Sequence, residues 1–116
     1  MKSVLLDTNF ILTCMKQKID FFEDIKFMGM EILIPKQVIG EIQKLKDPYS
    51  EISLSLLNKS EFKKIDIGKG HVDKNIVKFV AKNKDVIVAT LDRELKNKIQ
   101  GHKLVIRGKK RLEIVQ

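Results

Sequence analysis

At 116 residues and 43% apolar content the chain is sized for one compact domain with a single core, spanning residues 1–116, and it lacks the run of ~20 apolar residues that a membrane helix needs. Its one cysteine, Cys14, excludes an internal disulfide and any cysteine-built zinc or iron–sulfur centre. With no signal-peptide pattern ahead of the first strand, a cytoplasmic setting is expected. The formal charge of +8 is lopsided: residues 1–58 carry 7 Lys/Arg against 8 Asp/Glu, and residues 59–116 carry 16 against 7. Clustered positive charge attracts polyanions, which points to RNA or DNA; the competing reading is a Lys-rich surface, since 20 of the 23 cations are lysine.

Short apolar runs alternate with amphipathic stretches, the pattern of βαβ units around a parallel sheet. Ser3 to Leu6 predicts a strand buried on both faces, and Phe10 to Lys18 a helix that packs Phe10, Ile11 and Cys14 inward. A second helix is expected from about Asp20 to Phe27, stopped by Met28-Gly29-Met30, followed by a strand Glu31–Pro35 whose proline marks its end. Gln37 to Leu45 predicts a helix that stops before Lys46-Asp47-Pro48, and Ser50 to Lys59 another. Glu61 to Ile67 alternates as an edge strand would, and Gly68-Lys69-Gly70-His71 reads as a loop. Next come a helix from Val72 to Asn83, a strand Val86–Ala89, a helix from about Asp92 to Gln100, and strands Lys103–Ile106 and Leu112–Val115. The expected fold is α/β, a three-layer α/β/α sandwich with a central, mostly parallel sheet holding the first, second and fourth strands.

Four acids stand where such a sheet gathers ligands. Asp7 follows the first strand and Asp92 the fourth, so both face the crevice outside the carboxyl ends of the strands. Glu41 and Asp73 are expected at helix openings nearby. Carboxylates sharing one crevice repel each other unless cations lie among them. Magnesium or manganese is the natural occupant, because hard divalent ions take oxygen ligands and keep several waters beside phosphate oxygens. A metal so held can activate water and stabilise an in-line displacement at phosphorus, and the basic second half would hold a polyanionic substrate that the acids alone would repel.

Leu5-Leu6-Asp7-Thr8-Asn9-Phe10, Val38-Ile39-Gly40-Glu41-Ile42, Val72-Asp73-Lys74-Asn75-Ile76 and Ala89-Thr90-Leu91-Asp92-Arg93-Glu94-Leu95, in this order and spacing, resemble the PIN domain along the whole chain. The resemblance implies a metal-dependent endoribonuclease on a parallel α/β sheet, cutting single-stranded RNA with water to leave a 5′-phosphate and a 3′-hydroxyl. It makes Asp7, Glu41, Asp73 and Asp92 the ligands of Mg2+ or Mn2+, and Asn9 and Thr90 the groups that orient a carboxylate or a bound water. Within the family, Val86 to Lys96 is most similar to archaeal proteins related to the eukaryotic endonuclease that processes small-subunit ribosomal RNA precursors. VapC-type toxins share the four acids and are the alternative. A homodimer is common among such proteins, and an assembly factor or an antitoxin would be the protein partner. Leu91 departs from the pattern, standing where relatives often carry a polar or acidic residue, so the site would have fewer ligands.

Each of these residues also has a plain structural reading. Asp73 and Asp92 suit helix N-caps, and Glu41 suits a solvated helix face. Asp7 is harder to explain so, because a carboxylate straight after buried strand residues is costly without a partner. His71 is an invitation to metal or base chemistry but more simply a solvated loop residue, and His102 more so; Asp66 and Asp85 read as surface residues, and Cys14 as a small buried apolar one. Arg93 and the cluster Arg107-Gly108-Lys109-Lys110-Arg111 are candidates for gripping the RNA backbone. A receiver domain is disfavoured, since Asp7 is followed by Thr8-Asn9 rather than a second acid. A noncatalytic RNA-binding or ribosome-assembly factor on the same scaffold stays open.

Overall fold

The computed structural model describes residues 2–108 and 110–116. The elements run β1 (Ser3–Leu6), α1 (Thr8–Lys16), α2 (Phe21–Phe27), β2 (Glu31–Pro35), α3 (Lys36–Lys44), α4 (Ser50–Lys59), β3 (Lys63–Ile65), α5 (Val72–Lys82), β4 (Val86–Ala89), α6 (Arg93–Lys98), β5 (Lys103–Arg107) and β6 (Arg111–Val115). The strands form one sheet in the order β3-β2-β1-β4-β5-β6. The first five are parallel and β6 returns antiparallel to β5. Pairing of Ser3 with both Glu31 and Val86 places β1 at the centre.

Strand alternation sorts the core into two sides. Val4, Leu6, Ile32, Ile34, Ile87, Ala89 and Leu104 pack with Phe10, Ile11, Phe21, Ile25, Val38, Ile42 and Leu57 from α1 to α4. Leu5, Leu33, Val86 and Val88 face the other way, against Ile76, Val80, Leu95 and Ile99 of α5, α6 and the turn after it. The result is the expected three-layer α/β/α sandwich. Phe10 and Phe21 meet edge to face, ring centroids 6.4 Å apart, in the favoured T-shaped arrangement. Cys14 is fully buried, and burial pushes its thiol up to about 12, so it is apolar filling rather than a reactive group.

Local chemistry explains where the elements end. Gly29 takes a φ of +78°, its N–H reaches the Lys26 carbonyl at 2.9 Å and that of Met30 the Ile25 carbonyl at 3.3 Å, closing α2 with the paired bonds of a Schellman motif. Pro35 ends β2 and is also the N-cap of α3, where its missing N–H costs nothing. Several boundaries depart from expectation. α1 begins at Thr8, not Phe10, because the Asp7 side chain caps it. β3 covers only Lys63–Ile65, pairing with β2 over three residues, so most of the alternating stretch Glu61 to Ile67 lies outside the sheet. Glu41 lies in the later half of α3 rather than at its opening, and α5 is capped by His71, which puts Asp73 within its first turn.

Parallel connectivity fixes where a site can form. From β1 the chain builds outward through β2 to β3, then crosses to the opposite side of β1 to form β4. The strand order therefore reverses at β1 and β4, and the crevice outside their carboxyl ends is where open α/β sheets bind ligands. Asp7 follows β1 and Asp92 follows β4 at that point.

Candidate functional site

Asp7 is anchored from both sides. Its backbone N–H continues the sheet by donating to the Ala89 carbonyl at 3.0 Å. Its Oδ1 accepts from the Thr8 N–H at 2.8 Å, and its Oδ2 accepts from the Thr90 hydroxyl at 2.9 Å. Only 6% of the residue is exposed, and Thr90 beneath it is fully buried. Thr90 also accepts from the Asp92 N–H at 3.1 Å, so one hydroxyl ties together the ends of β1 and β4. The Asp92 Oδ1 accepts from the backbone N–H groups of Glu94 at 2.9 Å and Leu95 at 3.4 Å, capping α6 with one oxygen. A carboxylate offers about four lone-pair directions, so capping leaves Asp92 acceptor capacity toward the crevice.

Glu41 reaches the same place from α3. Its Oε1 accepts from the Thr8 hydroxyl at 2.5 Å, which fixes an otherwise exposed side chain beside Asp7. Asp73, from the first turn of α5, makes no hydrogen bond through its carboxylate among the described residues. All four acids line one cleft of about 420 Å3, together with Thr8, Asn9, Lys44 and Leu45. A slightly larger hollow, about 470 Å3, opens between α5, α6 and the amino ends of the strands; Asp85 is the acid among its lining residues.

Electrostatics in the cleft follow from that crowding. Burial, above all, holds the Asp7 carboxyl above its usual range; hydrogen bonds from Thr90 and Thr8 work against it, and the charges of Asp73 and Glu41 add to it. Asp73 is also raised, first by partial burial and then by repulsion from Asp92 and Glu41, with Lys98 and His71 opposing. Each acid therefore stands in the field of others contributed by distant segments of chain. Among the described residues that line the cleft, Lys44 is the cation.

Residues 4–109 match the family described as PIN like domain. The chain belongs to that family. Among its relatives, Ribonuclease VapC4 of Methanocaldococcus jannaschii is 30% identical over 98% of this chain and 97% of its own length. The rRNA-processing protein fcf1 of Schizosaccharomyces pombe is 36% identical over 84% of the chain, which spans 53% of that longer protein. Among solved structures, the PIN domain endonuclease Utp24 superposes with a TM-score of 0.84 at 28% identity, covering 97% of this chain and 90% of that one. The six-stranded, mostly parallel sheet described above is thus that of a PIN domain.

Some residues took places the sequence did not suggest. Asn9 lies exposed on the cleft wall and makes no hydrogen bond to a carboxylate among the described residues, whereas its neighbour Thr8 holds Glu41. Thr8 and Lys44 were both missed. Thr8 carried the faint signal of a hydroxyl directly after the strand-end aspartate, and Lys44 that of standing three residues past Glu41 on one helix face. Arg93 opens α6 next to Asp92 and is exposed but does not line the cleft. Arg107 pairs with Glu113 at 3.5 Å across the β5–β6 hairpin, and Lys110 and Arg111 border a separate hollow with Glu23, Asp24, Phe27 and Met28. None of Arg107, Lys110 and Arg111 lines the cleft of the four acids; Lys109 lies outside the described residues.

Among the described residues no three His, Cys, Asp or Glu side chains converge tightly enough to form a ready cage for an ion. The donor set nevertheless fits a hard divalent cation: oxygen ligands only, one of them buried, and two acids raised by desolvation and by neighbouring carboxylates. Magnesium in particular binds through one or two carboxylates plus water and substrate oxygens, which needs no closed protein cage.

Proposed function

We propose that this PIN domain is a metal-dependent endoribonuclease, with Asp7, Glu41, Asp73 and Asp92 holding Mg2+ or Mn2+ and Thr90 and Thr8 orienting Asp7 and Glu41. The observation that carries this reading is the convergence of four carboxylates from four distant segments on one cleft around a buried Asp7. Such a group is stable only when something neutralises it, and the cleft opens at the point of the sheet where ligands bind. A bound divalent ion would supply an activated water and charge neutralisation at the scissile phosphate. The chain's own residues align Asp7 through Thr90, hold Glu41 through Thr8, and leave Asp73 and the free oxygen of Asp92 facing the cleft. Asn9 is placed to meet a water or a substrate hydroxyl from the cleft wall.

Ribosomal RNA processing in the cytoplasm is the role we favour, supported by similarity to the rRNA-processing protein fcf1, while the likeness to the endonuclease Utp24 supports cleavage. A toxin ribonuclease is the second reading, and one observation favours it: the 30% identity to Ribonuclease VapC4 over 98% of this chain. An adjacent small antitoxin gene would decide for the toxin, and an assembly-factor partner for processing. A homodimer fits either. Among the described residues no helix is long and apolar enough to cross a membrane.

The test is hydrolysis of end-labelled single-stranded RNA with Mg2+ or Mn2+, comparing wild type, Asp7→Asn and Asp92→Asn. Wild type is expected to cut in the presence of metal and not in EDTA, and each variant to lose at least 100-fold. Equal cleavage by all three proteins means a contaminating nuclease and removes the support for catalysis. Tight RNA binding without cleavage under either metal would replace the enzyme by a noncatalytic RNA-binding or assembly factor.

A further inference from the structure

Beside the cleft, the exposed loop 68–71 is held by side chains that serve none of the four acids. Gln37, on α3 one turn before Glu41, uses both ends of its amide: Oε1 accepts from the Ile67 N–H at 3.3 Å, while Nε2 donates to Asp66 Oδ1 at 2.6 Å and to the Gly68 carbonyl at 3.2 Å. Asp66 accepts in turn from the Gly68 N–H at 2.9 Å and pairs with Lys36 at 3.0 Å. From the other side, Asn75 of α5 donates to the carbonyls of Gly68 at 3.1 Å and Lys69 at 2.9 Å. The loop can take this shape because Gly68 and Gly70, with φ of +97° and +101°, bracket Lys69 in the left-handed region.

The loop's carbonyls are thereby turned inward onto amide donors, while the side chains of Lys69 and His71 stay in solvent. Surface hydrogen bonds of this kind contribute little stability each, and these lie against no apolar core of the loop's own. What they fix is position. Gln37, Glu41 and Lys44 recur at helical spacing along one face of α3, so the anchored loop, the acids and the cleft lysine follow one another over about 10 Å of helix. A polyanion lying along that face would meet a cation on each side of the acidic centre.

We propose that loop 68–71 is a preset contact for the RNA backbone, with Lys69 meeting a phosphate and Gln37 and Asn75 acting as positioning residues. The proposal rests on the reading of this chain as an RNA-cutting domain and names how the strand is held there. Its ligand is a phosphodiester group, recognised by charge and independent of base identity.

The test uses anisotropy of a fluorescein-labelled single-stranded RNA 15-mer in EDTA, so that binding is read without cleavage. Lys69→Ala should weaken binding about fivefold at 0.1 M salt, and the slope of log affinity against log salt should become shallower by about 0.7, as loss of one phosphate contact requires. Gln37→Leu should weaken binding to a similar extent, and the double variant no more than either alone, because Gln37 acts through Lys69. Lys26→Ala, the same charge loss on exposed α2, should change affinity less than twofold. If Gln37→Leu unfolds, Gln37→Glu sets two carboxylates against each other at Asp66 and should weaken binding, and adding Asp66→Asn should restore it. Losses that multiply, or a Lys69→Ala affinity equal to that of Lys26→Ala, overturn the proposal. RNA binding without cleavage would sink the catalytic reading and leave this contact standing; cleavage with an unaffected Lys69→Ala would do the reverse.

Discussion

Thr90 shows what one hydroxyl can do at a strand end. Fully buried, it donates to Asp7 and accepts from the Asp92 N–H, so replacing it by valine keeps the shape and leaves a buried carboxylate oxygen without its donor. Thr90→Val should cost about 1–3 kcal/mol in denaturant unfolding. It should also lower cleavage about 10- to 100-fold, the usual effect of removing a group that orients a metal ligand. Unchanged activity would show that Asp7 is held well enough by Thr8 alone. Asp7 makes a second prediction. Its carboxyl is raised by burial, so the folded state keeps a proton that the unfolded chain has lost, and in EDTA stability should fall as pH rises from 3.8 through the raised value. Asp7→Asn should flatten that slope and match or exceed wild type in unfolding temperature at neutral pH. An identical pH profile for the two proteins would refute the burial argument. Asp7 and Thr90 could be picked out from sequence because each adjoins an apolar strand. Thr8 could not, since its partner Glu41 lies 33 residues away and only folding brings them within 2.5 Å.

α3 carries cleft-lining residues and core residues on adjacent sides of nine residues. Val38 and Ile42 are fully buried, while Glu41 and Lys44 reach the cleft, so the packing of one face sets the reach of the other. Ile42→Ala should cost about 2–5 kcal/mol through the cavity it leaves. Ile52→Ala on α4, at a position 55% exposed, should stay within about 0.5 kcal/mol. Comparable losses at both would mean that the α3 face is not tightly packed. Element existence was legible because runs such as Val86-Ile87-Val88-Ala89 admit little else, whereas lengths were less so. The alternation from Glu61 to Ile67 overstated β3, whose neighbour β2 offers partners only as far as Pro35. Exposed Lys63 and Lys64 on that short outer strand discourage further pairing with another chain.

At the scale of the whole molecule, four carboxylates gathered in one cleft repel one another, a destabilisation that a bound divalent ion should relieve. Saturating Mn2+ should therefore raise the unfolding temperature of wild type, by an amount equivalent to ~2.7 kcal/mol at a hundred times Kd. The rise should be much smaller for Asp7→Asn; no shift in wild type would argue against a metal centre among these acids. The charge asymmetry was correctly visible as a property of the second half, but composition carries no direction. The cluster around Arg107 went to the β5–β6 hairpin, and the cation on the cleft wall, Lys44, came from the first half. What the sequence determined by itself was the layered α/β fold and the strand-end acids, because period-two burial and helical spacing are local patterns written along the chain. Only tertiary structure decided which hydroxyl holds which carboxylate, which lysine faces the acids and how Gln37 clamps its loop. Those pairings join residues tens of positions apart, and no local pattern encodes a distance that the crossing of β4 past β1 creates.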